Sequence, residues 1–239
     1  MFTRKELKEN AKQQLKGNWG RAILAYFIAA AIVSVLSLLV IFPTLKKSVV
    51  GYQVSFPIWT WILFVVIFLA SSGLVIGIAK FFLDLSRRSG AEVKTIFDGY
   101  KIFGKSLLLQ LLTFIFTYLW SLLLVIPGIV ASYRYRLAAY LLIDDETMTA
   151  KQAIDQSKQM MMGHKGELFV LDLSFIGWAI LATIPFGLGY LWLCPYMETT
   201  YANFYLSLKQ SQQENTAHIC DGEKVSSGTI YKRQFRFFV

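Results

Sequence analysis

The chain has 239 residues, 55% of them hydrophobic and only 16% charged, with a formal charge of +9. Soluble domains carry about 25% charged residues, so this balance excludes an ordinary soluble domain. Two cysteines, Cys194 in an apolar run and Cys220 in a polar tail, exclude a disulfide framework.

The first twenty residues, MFTRKELKENAKQQLKGNWG, are polar and basic. Thr3 and Glu6 have the spacing of a capping box, in which the hydroxyl takes one free helix N–H and the acid reaches back to another. Leu7, Ala11 and Leu15 then recur every four residues while Lys5, Lys8, Lys12 and Lys16 take other faces. This is the pattern of an amphipathic surface helix, apolar face toward lipid and lysines toward headgroups. It ends at Gly17.

Residues 22–42, 58–79, 107–126 and 173–193 contain no Asp, Glu, Lys or Arg. About 20 apolar residues rising ~1.5 Å each cross a hydrocarbon core of ~30 Å. The first block is too long for the core of a signal peptide and lacks a small-residue cleavage pattern, so it reads as a retained helix. The predicted spans are 22–42, 58–83, 107–126, 129–143, 168–185 and 188–208. Gly73 and Gly77 leave a smooth face on the second span, suited to close helix packing within the chain.

The fourth span, IVASYRYRLAAYLLI, contains two arginines and follows Pro127-Gly128. Either the chain turns at that pair and returns, or one long kinked helix continues. Counting charges separates the two. With six spans, 19 Lys and Arg lie on the inner side against two outside, Lys46 and Lys47; with five spans the ratio falls to 11 against 10. Positive charge collects on the cytoplasmic side, so six spans with both termini inside is the expectation. The +9 then faces anionic lipid headgroups and not nucleic acid.

Two further segments repeat the opening grammar. Ser89-x-x-Glu92 and Thr149-x-x-Gln152 spell capping boxes, with Gly104 and Gly163 following 15 and 14 residues later, as Gly17 follows Thr3 by 14. In the third, Ala153, Ile154, Ser157 and Met161 form the apolar stripe. AKQQLKGNWG and SKQMMMGHKG match around their glycines. The expected architecture is an all-α polytopic bundle: three helical hairpins, each preceded by an amphipathic surface helix. Residues 1–208 form this membrane domain, and 209–239 form a polar cytoplasmic tail whose composition predicts disorder; its aromatic, basic end, YKRQFRFFV, is suited to touching the inner leaflet.

Residues 99–106, GYKIFGKS, match the letters of a phosphate-binding P-loop. The loop interior is Tyr-Lys-Ile-Phe and the following helix enters the membrane, so the segment reads as the second glycine elbow. The 23-residue inner segment has no room for a nucleotide domain.

Ionisable groups inside spans are costly and mark candidate sites. Arg134, Arg136, Glu198 and Asp172 are these groups, with Asn203 beside them on the polar sixth span. Arg134 and Arg136 lie roughly 8–10 Å from the outer end of their span, and Glu198 roughly 15 Å from its own. An Arg136–Glu198 pair is therefore within reach. Successive even-numbered positions on a helix lie ~200° apart, so Arg136 is expected to face the bundle with Tyr133 and Tyr140, and Arg134 to snorkel outward. Asp172 is expected near Lys165 or His164. Pro195 in LCPYMETTYANF is expected to kink the sixth span. The two histidines, His164 and His218, have no arrangement of a metal site or nucleophile around them. The Asp144-Asp145-Glu146 run reads as a solvated turn, with a surface cation as its alternative. No cofactor and no catalytic group is expected.

IPGIVASYRYRLAAYLLIDD, AKQAIDQSKQMMMGHKGELFVLDLSFIGWAIL and GLGYLWLCPYMETTYANFYLSL resemble the bacterial integral-membrane family catalogued as domain of unknown function 975, as does LKENAKQQLKGNWGRAI. The resemblance covers roughly residues 3–208. It implies a bacterial multi-span protein of the cell membrane with no established activity and no catalytic residues to carry over. Asp145-Glu146 departs from that family's small residue or proline after the first acid. Three functions remain open. One is a non-enzymatic, lipid-associated scaffold or envelope accessory with or without a protein partner. Another is a small-solute or lipid transporter or channel using the Arg136–Glu198 region. The last is an enzyme on lipids, for which no nucleophile or metal cluster is present in the sequence.

Overall fold

The computed structural model describes residues 3–49, 58–185 and 187–234. Residues 1–2, 50–57, 186 and 235–239 lie outside these, as do the side chains of His218 and Cys220. Among the described residues there is no strand. The elements are α1 (Arg4–Leu15), α2 (Trp19–Val49), α3 (Ile58–Ser86), a 3₁₀ segment (Val93–Ile102), α4 (Phe103–Leu123), α5 (Val125–Tyr135), α6 (Ala138–Asp144), α7 (Ala150–Met160), α8 (Lys165–Thr183) and α9 (Tyr190–Gln234).

Four stretches are long and apolar enough to cross a membrane: Trp19–Leu38, Ile58–Ser86, Val93–Leu123 and Lys165–Thr183. Only 11% of the third stretch's most apolar window is buried by protein. Phe114, Tyr118, Leu119 and Leu122 on α4, and Leu173, Ile176 and Ile180 on α8, all point outward. A soluble fold does not present faces of this size; a hydrocarbon solvent accounts for them.

The chain reverses after α4 at Leu124, whose φ of −164° and ψ of 147° are extended. The reversal comes before Pro127-Gly128, and the proline lies in the first turn of α5, where its missing N–H costs nothing. α5 folds back onto α4 so closely that a Cβ on Gly128 would lie 2.1 Å from Ser121 Oγ. The predicted fourth span is two helices, parted at Arg136 and Leu137. α9 runs through Pro195 and on to Gln234. Its backbone is helical where the composition of 209–234 predicts disorder, because that stretch contains no proline and extends a helix already nucleated.

The first and third capping boxes form. Thr3 Oγ1 accepts from the Glu6 N–H at 3.3 Å while Glu6 Oε2 accepts from the Thr3 N–H at 2.7 Å. Thr149 and Gln152 do the same at 3.3 and 2.9 Å. Gly17 and Gly163 take φ of +87° and +81°, the left-handed conformation that ends a helix and favours glycine. The apolar stripes, however, face protein and not lipid. Leu7, Ala11 and Leu15 are buried against α9 and α3, and Ala153, Ile154, Ser157 and Met160 against α4, α5 and α6.

The second repeat is different. Glu92 precedes a 3₁₀ segment and makes no cap with its side chain, Ser89 Oγ donates to the Asp84 carbonyl at 3.0 Å, and Gly104 lies within α4. The segment is pressed onto α3 instead. Gly99 sits against Gly73 and Gly77, where an added Cβ would lie 2.0 Å from the Gly73 carbonyl oxygen. Tyr100 covers Gly73 and donates to the Ala70 carbonyl at 2.6 Å. GYKIFGKS is thus a wedge between two helices, and its first glycine serves backbone contact. The Gly73–Gly77 face is filled from within the chain.

Candidate functional site

Asp172 on α8 lies at the centre of the polar groups that stand out in the apolar helices. Tyr201 on α9 donates to its Oδ1 at 2.6 Å and Tyr133 on α5 to its Oδ2 at 2.8 Å. The expected partners, Lys165 and His164, are elsewhere: His164 Nδ1 lies 3.5 Å from Glu167. Asp172 is seven residues into α8, about 10 Å along the axis, and faces α5 and α9 at that depth.

Arg136 lies at the break between α5 and α6. Its guanidinium carbon is 4.3 Å from the centre of the Tyr201 ring, a cation–π contact. The expected ion pair with Glu198 does not form, because Tyr201, one turn further along α9, takes the guanidinium on its face. Arg136, Asp172 and Glu198 still lie within electrostatic range of one another. Among the described residues neither Arg136 nor Glu198 makes a hydrogen bond or a close ion pair. Arg136 is surrounded by protein yet stays exposed, because it borders a cleft of about 440 Å³. Ser72, Ser106, Gln110, Thr113 and Thr117 line the facing wall.

Arg134 is separate from this group. Its carbonyl accepts from Ser157 Oγ at 2.7 Å, tying α5 to α7. Its side chain lines an apolar hollow with Trp120, Ile126 and Pro127 beside the α4–α5 reversal. Asn203 is also separate, and pairs with Gln14 of α1. Asn203 Nδ2 donates to Gln14 Oε1 at 2.8 Å, and Gln14 Nε2 donates to Asn203 Oδ1 at 3.0 Å and to the Ser86 carbonyl at 2.9 Å. This amide clamp fixes α1 to the end of α3 and to the first half of α9. Replacing Asn203 by leucine strands a part-buried amide, at a cost of about 1–3 kcal/mol. Limited proteolysis should then cut faster between α1 and α2, and unchanged cutting would show that the clamp holds nothing.

The acidic run is divided among different tasks. Asp144 is nearly buried and gathers Arg87, Tyr205 and Lys209. Burial opposes its charge, but hydrogen bonds from Lys209, Tyr205 and Arg87 outweigh it and hold the carboxyl below its ordinary range. Asp145 closes a local turn on Thr147, whose backbone N–H donates to it at 2.9 Å. The Glu146 carbonyl accepts from Lys105. Among the described residues no three His, Cys, Asp or Glu side chains are grouped as a metal site.

The family model described as a protein of unknown function (DUF975) matches residues 1–131 and 121–212. The chain belongs to this family. No curated protein and no solved structure matches it. Every contact just described falls inside the DUF975 match, which ends shortly after Lys209. The two matched segments overlap at 121–131, where α4 reverses into α5. Several DUF975 contacts here escaped sequence reasoning. The polar positions 106, 110, 113 and 117 share one face of α4 at helical spacing, a legible signal. Tyr133 reads as bundle-facing on the stripe of Arg136, but nothing in the sequence pairs it or Tyr201 with Asp172, 39 and 29 residues away.

Proposed function

We propose that this DUF975 chain is a six-span, non-enzymatic protein of the bacterial cell membrane with both termini cytoplasmic, acting as a lipid-associated scaffold or envelope accessory. α5 with α6 and the first half of α9 supply the fourth and sixth crossings. Three helical hairpins result.

The observation that carries this reading is the placement of α1. Its apolar stripe is spent on α9, and Lys8 lies 4.2 Å over the Phe175 ring. Arg4, Lys5, Lys12 and Lys16 are left exposed, and Lys12 borders a hollow with Trp178 and Leu181 of the outward apolar face of α8. A fixed row of cations abutting a lipid-facing surface suits anionic headgroups, each charge contributing about 1 kcal/mol. In nanodiscs, the wild type should unfold at a higher temperature in phosphatidylglycerol than in phosphatidylcholine. The difference should collapse in Lys5→Gln/Lys12→Gln/Lys16→Gln and in high salt. Equal stability of the wild type in both lipids would sink the reading. The second reading, a carrier for a small solute or lipid through the Arg136–Glu198 region, is favoured by the cleft in front of Arg136.

A further inference from the structure

We propose that the cleft between α3, α4 and the α5–α6 break binds an amphiphile whose head carries an oxyanion and a hydroxyl, the oxyanion seated on Arg136. The site is separate from the lysines of α1, and deepens the carrier reading without depending on the scaffold one.

Arg136 is the first support. One face of its guanidinium rests on Tyr201, leaving the N–H edges, which have no acceptor among the described residues, on the side of the cleft. A guanidinium in a low-dielectric setting is costly without acceptors, and its planar fork matches a carboxylate or phosphate. Asp172 does not meet the need, because its two oxygens are taken by Tyr133 and Tyr201.

The facing wall supplies the second. Gln110 Nε2 donates to Ser71 Oγ at 3.1 Å, but Gln110 Oε1 is buried with no donor. Ser106 is committed to the Ser72 carbonyl. Thr113 and Thr117 make no hydrogen bond among the described residues. A buried acceptor beside two free hydroxyls asks for a ligand that donates as well as accepts. Ile76, Leu109 and Phe114 supply apolar wall between these groups. The volume of about 440 Å³ falls within the range of small-molecule sites. The head lies eight residues from Asp144, about 12 Å below the level of that inner hub, so its apolar part stays within the hydrocarbon layer.

The test is native mass spectrometry of the full chain released from nanodiscs of phosphatidylglycerol, whose head has both groups, or phosphatidylcholine, which has no hydroxyl. The wild type should retain one phosphatidylglycerol, and Arg136→Gln should lower retention about tenfold or more. Gln110→Leu should lower it severalfold, while Arg134→Gln leaves it unchanged. Should Arg136→Gln fail to fold, Thr113→Phe fills the cleft without altering charge and should abolish retention. Phosphatidylcholine held as tightly, or retention indifferent to both Arg136→Gln and Thr113→Phe, overturns the proposal. Displacement by millimolar glycerol phosphate or inorganic phosphate also overturns it, and assigns the cleft to a water-soluble anion.

Discussion

Gly77→Ala should be among the most damaging single-methyl additions in this chain, lowering stability by about 3 kcal/mol or more, roughly 10 °C in melting temperature for a bundle of this size. The added Cβ would lie 1.7 Å from the Ile96 carbonyl oxygen and 2.5 Å from its carbon. Neither atom can swing aside as a side chain does, so the 3₁₀ segment must lift off α3. Gly99→Ala attacks the same contact from the other side, at 2.0 Å from the Gly73 oxygen. The double variant should therefore cost less than the sum of the two. Gly20→Ala and Gly166→Ala are the controls: no heavy atom lies within 4 Å of a Cβ at either, and both glycines are helical, so alanine should be neutral or slightly stabilising. Thermal unfolding in detergent measures all five. A Gly77→Ala melt equal to wild type would mean that the 3₁₀ segment does not rest on α3.

This wedge also shows where the sequence stops being legible. Ser89-x-x-Glu92 and Gly104 follow the pattern of the boxes that do form, with a spacing only one residue longer, yet they make neither cap nor elbow. The first and third boxes depend on contacts three residues apart, within the reach of pattern reading. The second is overridden by a contact from Gly99 back to Gly73 and Gly77, in another helix. Gly73-x-x-x-Gly77 reads as a packing face, and GYKIFGKS reads as a poor phosphate loop. That each is the other's partner follows only from the fold.

The same division runs through the polar residues. Arg136, Asp172 and Glu198 stand out because charge inside a span is rare, and the structure does bring them near one another. Their hydrogen-bonding partners are tyrosines and an aromatic face, which composition does not distinguish from lipid-facing aromatics. The amphipathic stripes of α1 and α7 were read correctly as stripes, while their destination was not. A period of 3.6 tells which face is apolar, not whether lipid or protein covers it. Leu7, Ala11 and Leu15 meet α9 because the Gln14–Asn203 clamp and the Gly17 turn leave α1 no route to the bilayer.

Asp144→Asn is the second large effect, and its size follows from what the carboxylate holds apart. Arg87 Nη2 donates to both oxygens, at 2.6 and 2.8 Å, while Lys209 and Tyr205 reach Oδ2 at 2.5 and 2.6 Å. Three helices, α3, α6 and α9, thus meet at one side chain that is 7% exposed. Removing its charge leaves two cations facing each other across an amide. Breaking a buried pair costs about 3–5 kcal/mol, but Arg87 and Lys209 are 35% and 38% exposed and regain water, which brings the expected loss to about 2–3 kcal/mol. Tyr205→Phe keeps the ring stacked on Tyr140 at 5.3 Å and removes one hydrogen bond, about 1 kcal/mol. The pH dependence has a definite sign. The folded carboxyl is more acidic than the unfolded one, so its contribution is complete above the unfolded value of about 3.9 and is lost as pH falls through the folded value. Between pH 7 and pH 3, wild type should therefore lose more stability than Asp144→Asn, which has already lost this contribution. Parallel curves, or an Asp144→Asn penalty no larger than that of Tyr205→Phe, would show that the three helices are joined by packing alone.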